Sequence, residues 1–461
     1  MKQIFLSLAM LFFTAALLAQ KPVLDIKFSE QLAVLVFVQN LSSNYPDNPF
    51  KTEFSKSPYN IRKYQNYING LDTLAIDYTY QFSGFPYGSK LPGMTKELLN
   101  KNLIATDNLT DFKLRSIGLV PNSTLDQLVT IISEFTPIYR ELIYNPNKDQ
   151  FEKQLTDIIA YSNSKGIADY FDVGLHFYNS TWDYSIPFEI AFYPLPNSEG
   201  FTAHAFYNNF ISAVQTDLTD YKVIFSVMLH EIYHIIYDEQ SLSVKTSLYN
   251  YFKHHPSKNG MYAYLLLNEV LATSIGNGFV FEKLEGKTDT QDWYNWKYIN
   301  LMAKQAYPLV KQYIVDRKPI DESFVNSYIK LYDQNFPDWI NEMDNLMNYR
   351  YTLSQKRADF NTIKQLYPHR SMSEDEDEIT PGSIEKMKAV PMTKIIIVSK
   401  NNTATLEMIK GKFPELKNWK YQNQKEFEYH ILLNDKTWLF IINQKSTSTE
   451  TIIKKLRINK V

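Results

Sequence analysis

Two long apolar stretches, residues 223–237 and 261–281, constrain this chain more than anything else in it. Each would serve as the centre of a hydrophobic core. Yet each has polar groups in its middle: His230, Glu231 and His234 in the first, Asn268 and Glu269 in the second. A charge at the centre of a bilayer costs about 2.5–3.5 kcal/mol, and a lone carboxylate in an apolar interior needs a charge partner just as much. The pattern therefore predicts two buried helices of a soluble protein that aim polar groups at a site, with no transmembrane span. The chain has 461 residues, long enough for two or three domains with full-sized cores.

Composition narrows what such a site can use. Apolar residues make up 44% and charged residues 21%, which excludes a mainly disordered chain. With 48 Lys+Arg against 50 Asp+Glu, the formal charge of -2 offers nothing to a polyanion, so no nucleic-acid partner is expected. Only 14 Gly leave little material for glycine-rich phosphate loops. Cys is zero, which removes disulfides, Cys-ligated zinc, iron–sulfur clusters, thiol catalysis and a Cys-anchored lipid. Any metal must be held by His and carboxylates. The one excess is aromatic, 33 Tyr and 29 Phe.

The first residues bear on compartment. Lys2 precedes an apolar run from 4 to 19 that ends Leu17-Leu18-Ala19, the three parts of a secretory signal peptide. A run this short falls below the roughly 20 residues of a membrane helix. Cleavage after Ala19 or Gln20 and export to the periplasm or the extracellular space are expected.

Along the rest of the chain, Ser29 stands as N-cap of a helix running to Val38. From 95 to 165 the apolar spacing is helical, as in Leu125, Leu128, Ile131, Ile132 and Phe135. Residues 173–178, 188–193 and 201–208 read as short strands of a small, mostly antiparallel sheet. Helical spacing returns from 219 to 351. The acidic run at 373–378, followed by Thr380-Pro381-Gly382-Ser383, reads as solvated linker. A strand at 394–399, a helix at 403–413, strands near 427–433 and 437–443 and a helix at 449–457 then form a βαββα unit. The division is a signal at 1–19, a mostly helical region at 20–165, a catalytic region at 166–372, a linker at 373–383 and a C-terminal α/β unit at 384–461. The class is α+β.

His230-Glu231-Ile232-Tyr233-His234 is the candidate site. On a helix, positions i and i+4 project from one side, one turn apart. Two neutral imidazoles so placed can reach one Zn²⁺ at about 2.0–2.1 Å, with Glu231 one step round and close to a metal-bound water. A third ligand is required. A site completed just downstream in the manner of the metzincin zinc proteins would need Gly at 237 and His or Asp at 240, where Tyr237 and Gln240 stand. Glu269, in the next buried helix, is the stronger candidate, with His254, His255, Asp238 and Glu239 as alternatives. Asp238, one turn beyond His234, is also placed to orient that imidazole through its second ring N–H.

HExxH followed by Asn268-Glu269-Val270-Leu271-Ala272, an NExxA sequence on a downstream helix, resembles the gluzincin zinc metallopeptidases. The resemblance covers roughly residues 165–340. It implies a zincin-like catalytic body and one catalytic zinc on His230, His234 and Glu269. It also implies Glu231 as general base for peptide-bond hydrolysis. The GxMEN sequence with which one branch of the family grips a substrate N-terminus is absent, which favours an endopeptidase or a specialised processing role. Such sites also need an oxyanion donor; Tyr328 in FVNSYIKLYDQNF is the first choice, with Tyr332 and Tyr264 behind it. The strand at 201–208 is the candidate edge for substrate backbone. The competing expectation is a non-catalytic envelope protein that binds peptide or glycan on the same fold, suited by the aromatic richness. Retention of Glu231 argues against it, because a pure binder has no use for a general base.

Overall fold

A computed structural model describes residues 22–196 and 203–459. The signal segment lies outside these residues, as do the first two positions of the strand expected at 201–208. The fold is α+β, and no described helix is long and apolar enough to cross a membrane. The chain forms two compact units. One comprises Met1–Ser83, Leu91–Gln240 and Ile275–Thr290; the other comprises Gly84–Lys90, Ser241–Ser274 and Gln291–Val461.

The first unit holds a four-stranded sheet of β1 (Leu24–Phe28), β4 (Phe188–Leu195), β5 (Ala203–Phe206) and β6 (Asn209–Gln215), in the order β1-β4-β6-β5. A short ribbon of β2 (Thr79–Tyr80) and β3 (Gly93–Met94) stands apart from it. β1 pairs parallel with β4, and β4 parallel with β6; only β5 and β6 are antiparallel. The sheet is thus mostly parallel, not antiparallel as local turn signals implied. Those signals report hairpins, whereas parallel neighbours come from distant segments joined by crossovers.

Residues 173–178 are helical, not a strand. They close the helix Ile167–Tyr178, entered from Gly166 and left at Asn179, both in the left-handed conformation. Phe171, Gly174, Leu175 and Tyr178 recur at three- and four-residue spacing on its buried side, and that packing overrides the β preference of Val and Tyr.

The helical core of this unit follows the expected spacing. Leu125, Leu128, Ile131, Ile132 and Phe135 are all buried in the helix Asn122–Tyr139. They pack with the helix Glu30–Leu41, whose residues Leu32 to Val38 are buried on every side. Phe37 at its centre touches the rings of Phe50, Phe54, Phe135 and Tyr139. Ser29 does take the N-cap position, but its hydroxyl donates to the Leu103 carbonyl instead of capping the helix.

The second unit contains a five-stranded sheet of β7 (Tyr349–Ser354), β8 (Met372–Glu376), β9 (Thr393–Val398), β10 (Phe427–Leu432) and β11 (Trp438–Asn443). The order is β10-β11-β9-β7-β8, with every neighbouring pair parallel except β10 and β11. The expected βαββα order is present, but the sheet starts earlier, at β7. The chain steps outward from β7 to β8 and then crosses back to place β9 on the other side of β7, the winding of doubly wound α/β sheets.

Most of the acidic run is therefore not linker: Met372–Glu376 form edge strand β8, paired with β7, while Asp377 and Glu378 follow it. The charges within β8 each have a partner. Glu374 accepts from the Tyr87 hydroxyl, Asp375 pairs with Lys364 at 2.9 Å, and Glu376 pairs with Lys386 at 3.2 Å. Charged residues suit a sheet edge because they deter pairing with another chain. Thr380 and Ser383 then form a capping box for the helix Pro381–Lys388.

Candidate metal centre

The HExxH residues lie on the helix Lys222–Asp238, where Phe225, Met228, Leu229, Ile232, Tyr233 and Ile236 are buried. One side packs on the helix Ile167–Tyr178. A Cβ at Gly174 would fall 2.6 Å from the Tyr233 ring, so only glycine admits that approach. The Tyr233 hydroxyl donates to the Tyr170 carbonyl at 2.9 Å, fixing the rotation of the helix about its axis. With Tyr233 committed to that side, His230 and His234 share another.

Glu269 lies on the helix Gly260–Thr273, which passes without a break into a π-helical segment, Ser274–Val280, and a last short helix, Phe281–Glu285. The π segment crosses the HExxH helix at His230. A Cβ at Gly276 would come within 2.7 Å of both Cα and Cβ of His230, a contact that backbone cannot relieve by a rotamer change. The Ser226 hydroxyl donates to the Gly276 carbonyl at 3.0 Å and pins the crossing.

At this crossing the polar groups converge. His230 is buried, and His234 and Glu269 are half-buried. Each offers one ligand atom, and the three atoms lie within 4.8 Å of one another. The two Nε2 atoms are 3.1 Å apart. Two nitrogens on one Zn²⁺ at about 2.0–2.1 Å in tetrahedral geometry are separated by roughly 3.3–3.4 Å, so the imidazoles stand close to the edge of a coordination tetrahedron. On its other side His230 Nδ1 meets Asn277 Oδ1 at 2.9 Å. With that oxygen as acceptor the ring proton belongs on Nδ1, which leaves the Nε2 lone pair facing His234 and Glu269. Two imidazole nitrogens and a carboxylate, with no thiolate in the chain, form a donor set for a divalent first-row metal ion.

Glu231, next to His230 on the helix, is half-buried and makes no hydrogen bond or ion pair among the described residues. Its carboxylate is uncommitted.

The alternatives for third ligand lie elsewhere. His254 and Glu239 are exposed. His255 sits at a helix end, where its Nδ1 accepts from the Ser257 N–H and burial lowers its pKa. Asp238 accepts from the Leu91 N–H.

Tyr328 does not have the place expected of an oxyanion donor. It is fully buried, stacked on Phe324 with centroids 6.2 Å apart and edge-on to Phe252 at 6.0 Å. A hydroxyl donating to substrate needs an accessible face, and this ring has none. The run Phe324, Val325, Tyr328, Ile329, Tyr332 is simply the core face of the helix Glu322–Asn335. Tyr332 and Tyr264 are buried as well. The described part of the expected edge strand, β5, is indeed outermost in its sheet.

Sequence reasoning overlooked Asn277 and Gly276. Their signal was SIGNG, two glycines around an amide inside an otherwise apolar helical run. Comparison with known protein families, with characterised proteins and with solved structures finds no match for this chain.

Proposed function

We propose that this chain is a zinc-dependent metallopeptidase of gluzincin type. The observation that carries the reading is the convergence of ligand atoms from His230, His234 and Glu269, with Glu231, uncommitted among the described residues, next to His230 on the same helix. His230, His234 and Glu269 would hold one zinc ion. When bound, zinc supplies Lewis acidity, acidifying water and polarising a carbonyl. Glu231 takes the proton from the attacking water onto a carboxylate oxygen and hands it to the departing amine nitrogen. An amide is the natural substrate for such a residue, because its leaving group must be protonated as the bond breaks. Peptides or proteins are the substrate class. The buried flanks of the HExxH helix exclude bulk water from one side of the group and strengthen every charge interaction within it. The apolar N-terminal stretch supports export.

The test is a diverse peptide library digested by wild-type protein and by Glu231→Gln. The reading predicts equal zinc content in the two proteins and a 10²–10⁴-fold slower hydrolysis by the variant. Equal hydrolysis rates would remove Glu231 as the base. A zinc-loaded wild type that cleaves nothing would favour the non-catalytic binder.

A further inference from the structure

We propose that Asn277 is the positioning residue that keeps His230 ready to bind metal, and that the π-helical segment is what delivers it. The inference rests on the metal-site reading above.

Glu269 and Asn277 stand eight residues apart on one unbroken helical run. In an uninterrupted α-helix eight residues sweep about 800°, which would leave Asn277 roughly 80° round from Glu269 and off the side facing the histidines. A π turn, closed by i→i+5 bonds, takes up about one residue more than an α turn. One turn of each, about 3.6 and about 4.6 residues, consumes close to eight. Asn277 then returns to the side of Glu269, one α turn and one π turn further on. The π segment begins at Ser274, between the two residues, where it must lie to have this effect.

Distance is settled at the same place. Gly276 brings the run into backbone contact with His230, and the Ser226 hydroxyl holds the Gly276 carbonyl there. The next residue, Asn277, thereby reaches Nδ1 of the same histidine at 2.9 Å. A helical fault that costs regular hydrogen bonding thus coincides with a close approach and an amide that meet a ligand of the group.

The chemistry suits the geometry. An acceptor at Nδ1 selects the tautomer whose Nε2 is bare and fixes the ring plane before metal arrives. An amide oxygen does so without a second negative charge, so a divalent ion on two imidazoles and one carboxylate keeps one unit of positive charge.

Zinc affinity of the full-length protein, stripped by a chelator and titrated in competition with a zinc indicator, tests the inference. Asn277→Ala is expected to bind zinc 10–100-fold more weakly, and Asn277→Asp, which keeps an acceptor oxygen, to restore at least wild-type affinity. Wild-type affinity in Asn277→Ala overturns the inference and leaves the metal site standing. A wild type that binds no zinc overturns both. A second readout needs no variant to fold: imidazole ¹⁵N shifts of the metal-free wild type, at a pH where the ring is neutral. Protonated Nδ1 on His230 is the expected result, and protonated Nε2 overturns the inference.

Discussion

At the scale of single residues, His230 is held from three directions. Gly276 lies against its Cα, Asn277 meets Nδ1, and His234 faces Nε2. Gly276→Ala therefore forces a methyl group into backbone that has no room for it. The expected loss is about 1–3 kcal/mol of stability, the range for overpacked interiors, read as a lower urea midpoint, together with weaker zinc binding. Tyr328 gives the opposite prediction. As a core ring it has no role in the hydrolysis proposed above, so any kcat found for the wild type should survive Tyr328→Phe, whereas loss of a true oxyanion donor costs 10²–10³-fold. The residues of the metal group were legible in the sequence because each stands out chemically: two imidazoles at helical spacing and a carboxylate stranded among Leu and Val. Asn277 was not, because its relation to His230 depends on a π turn that no hydrophobic periodicity encodes. Tyr328 misled for a related reason: among 33 tyrosines, helical spacing marks the buried face but says nothing of which hydroxyl reaches a site.

At the scale of elements, strongly periodic helices could be read and sheet pairing could not. Leu125 to Phe135 announced their helix, and the strands and helices after residue 393 fell where alternation placed them. The parallel partners of β4 and β7 depend on segments far away in the chain. The acidic strand β8 was read as linker because its partners, Tyr87, Lys364 and Lys386, are not its sequence neighbours.

One element carries a pH prediction. Glu426, just before β10, accepts from the Thr447 hydroxyl and from the N–H groups of Lys445, Thr447 and Ser446, which together hold its pKa at about 2. A carboxylate whose pKa falls on folding stabilises the fold above its unfolded value, near 4.5, and that contribution disappears as pH drops toward about 2. Urea midpoints of Glu426→Gln should therefore depend less on pH between about 4.5 and about 2 than those of the wild type. Parallel curves for the two proteins would count against this network.

At the scale of the whole molecule, the aromatic excess is largely packing. In the first unit Phe37 sits among four rings; in the second, Trp339 meets Tyr298, Tyr332 and Phe336. With no Cys available, stability rests on these cores and not on disulfides. A bound metal adds to it: a ligand at about 1,000 times its Kd contributes about 4.1 kcal/mol. Chelation should accordingly lower the melting temperature of the wild type and leave that of His234→Ala unchanged. A chain with two compact units need not melt in one step, so calorimetry is the suitable measurement.

The central claim is that His230, His234 and Glu269 hold one metal ion. Anomalous diffraction collected on either side of the zinc absorption edge, from crystals grown with zinc, tests it most directly. The account predicts one strong peak per chain, bonded to Nε2 of both histidines and to the Glu269 carboxylate, and its loss in His234→Ala. A wild-type crystal with no peak there, or with its zinc bound by other residues, would contradict the account.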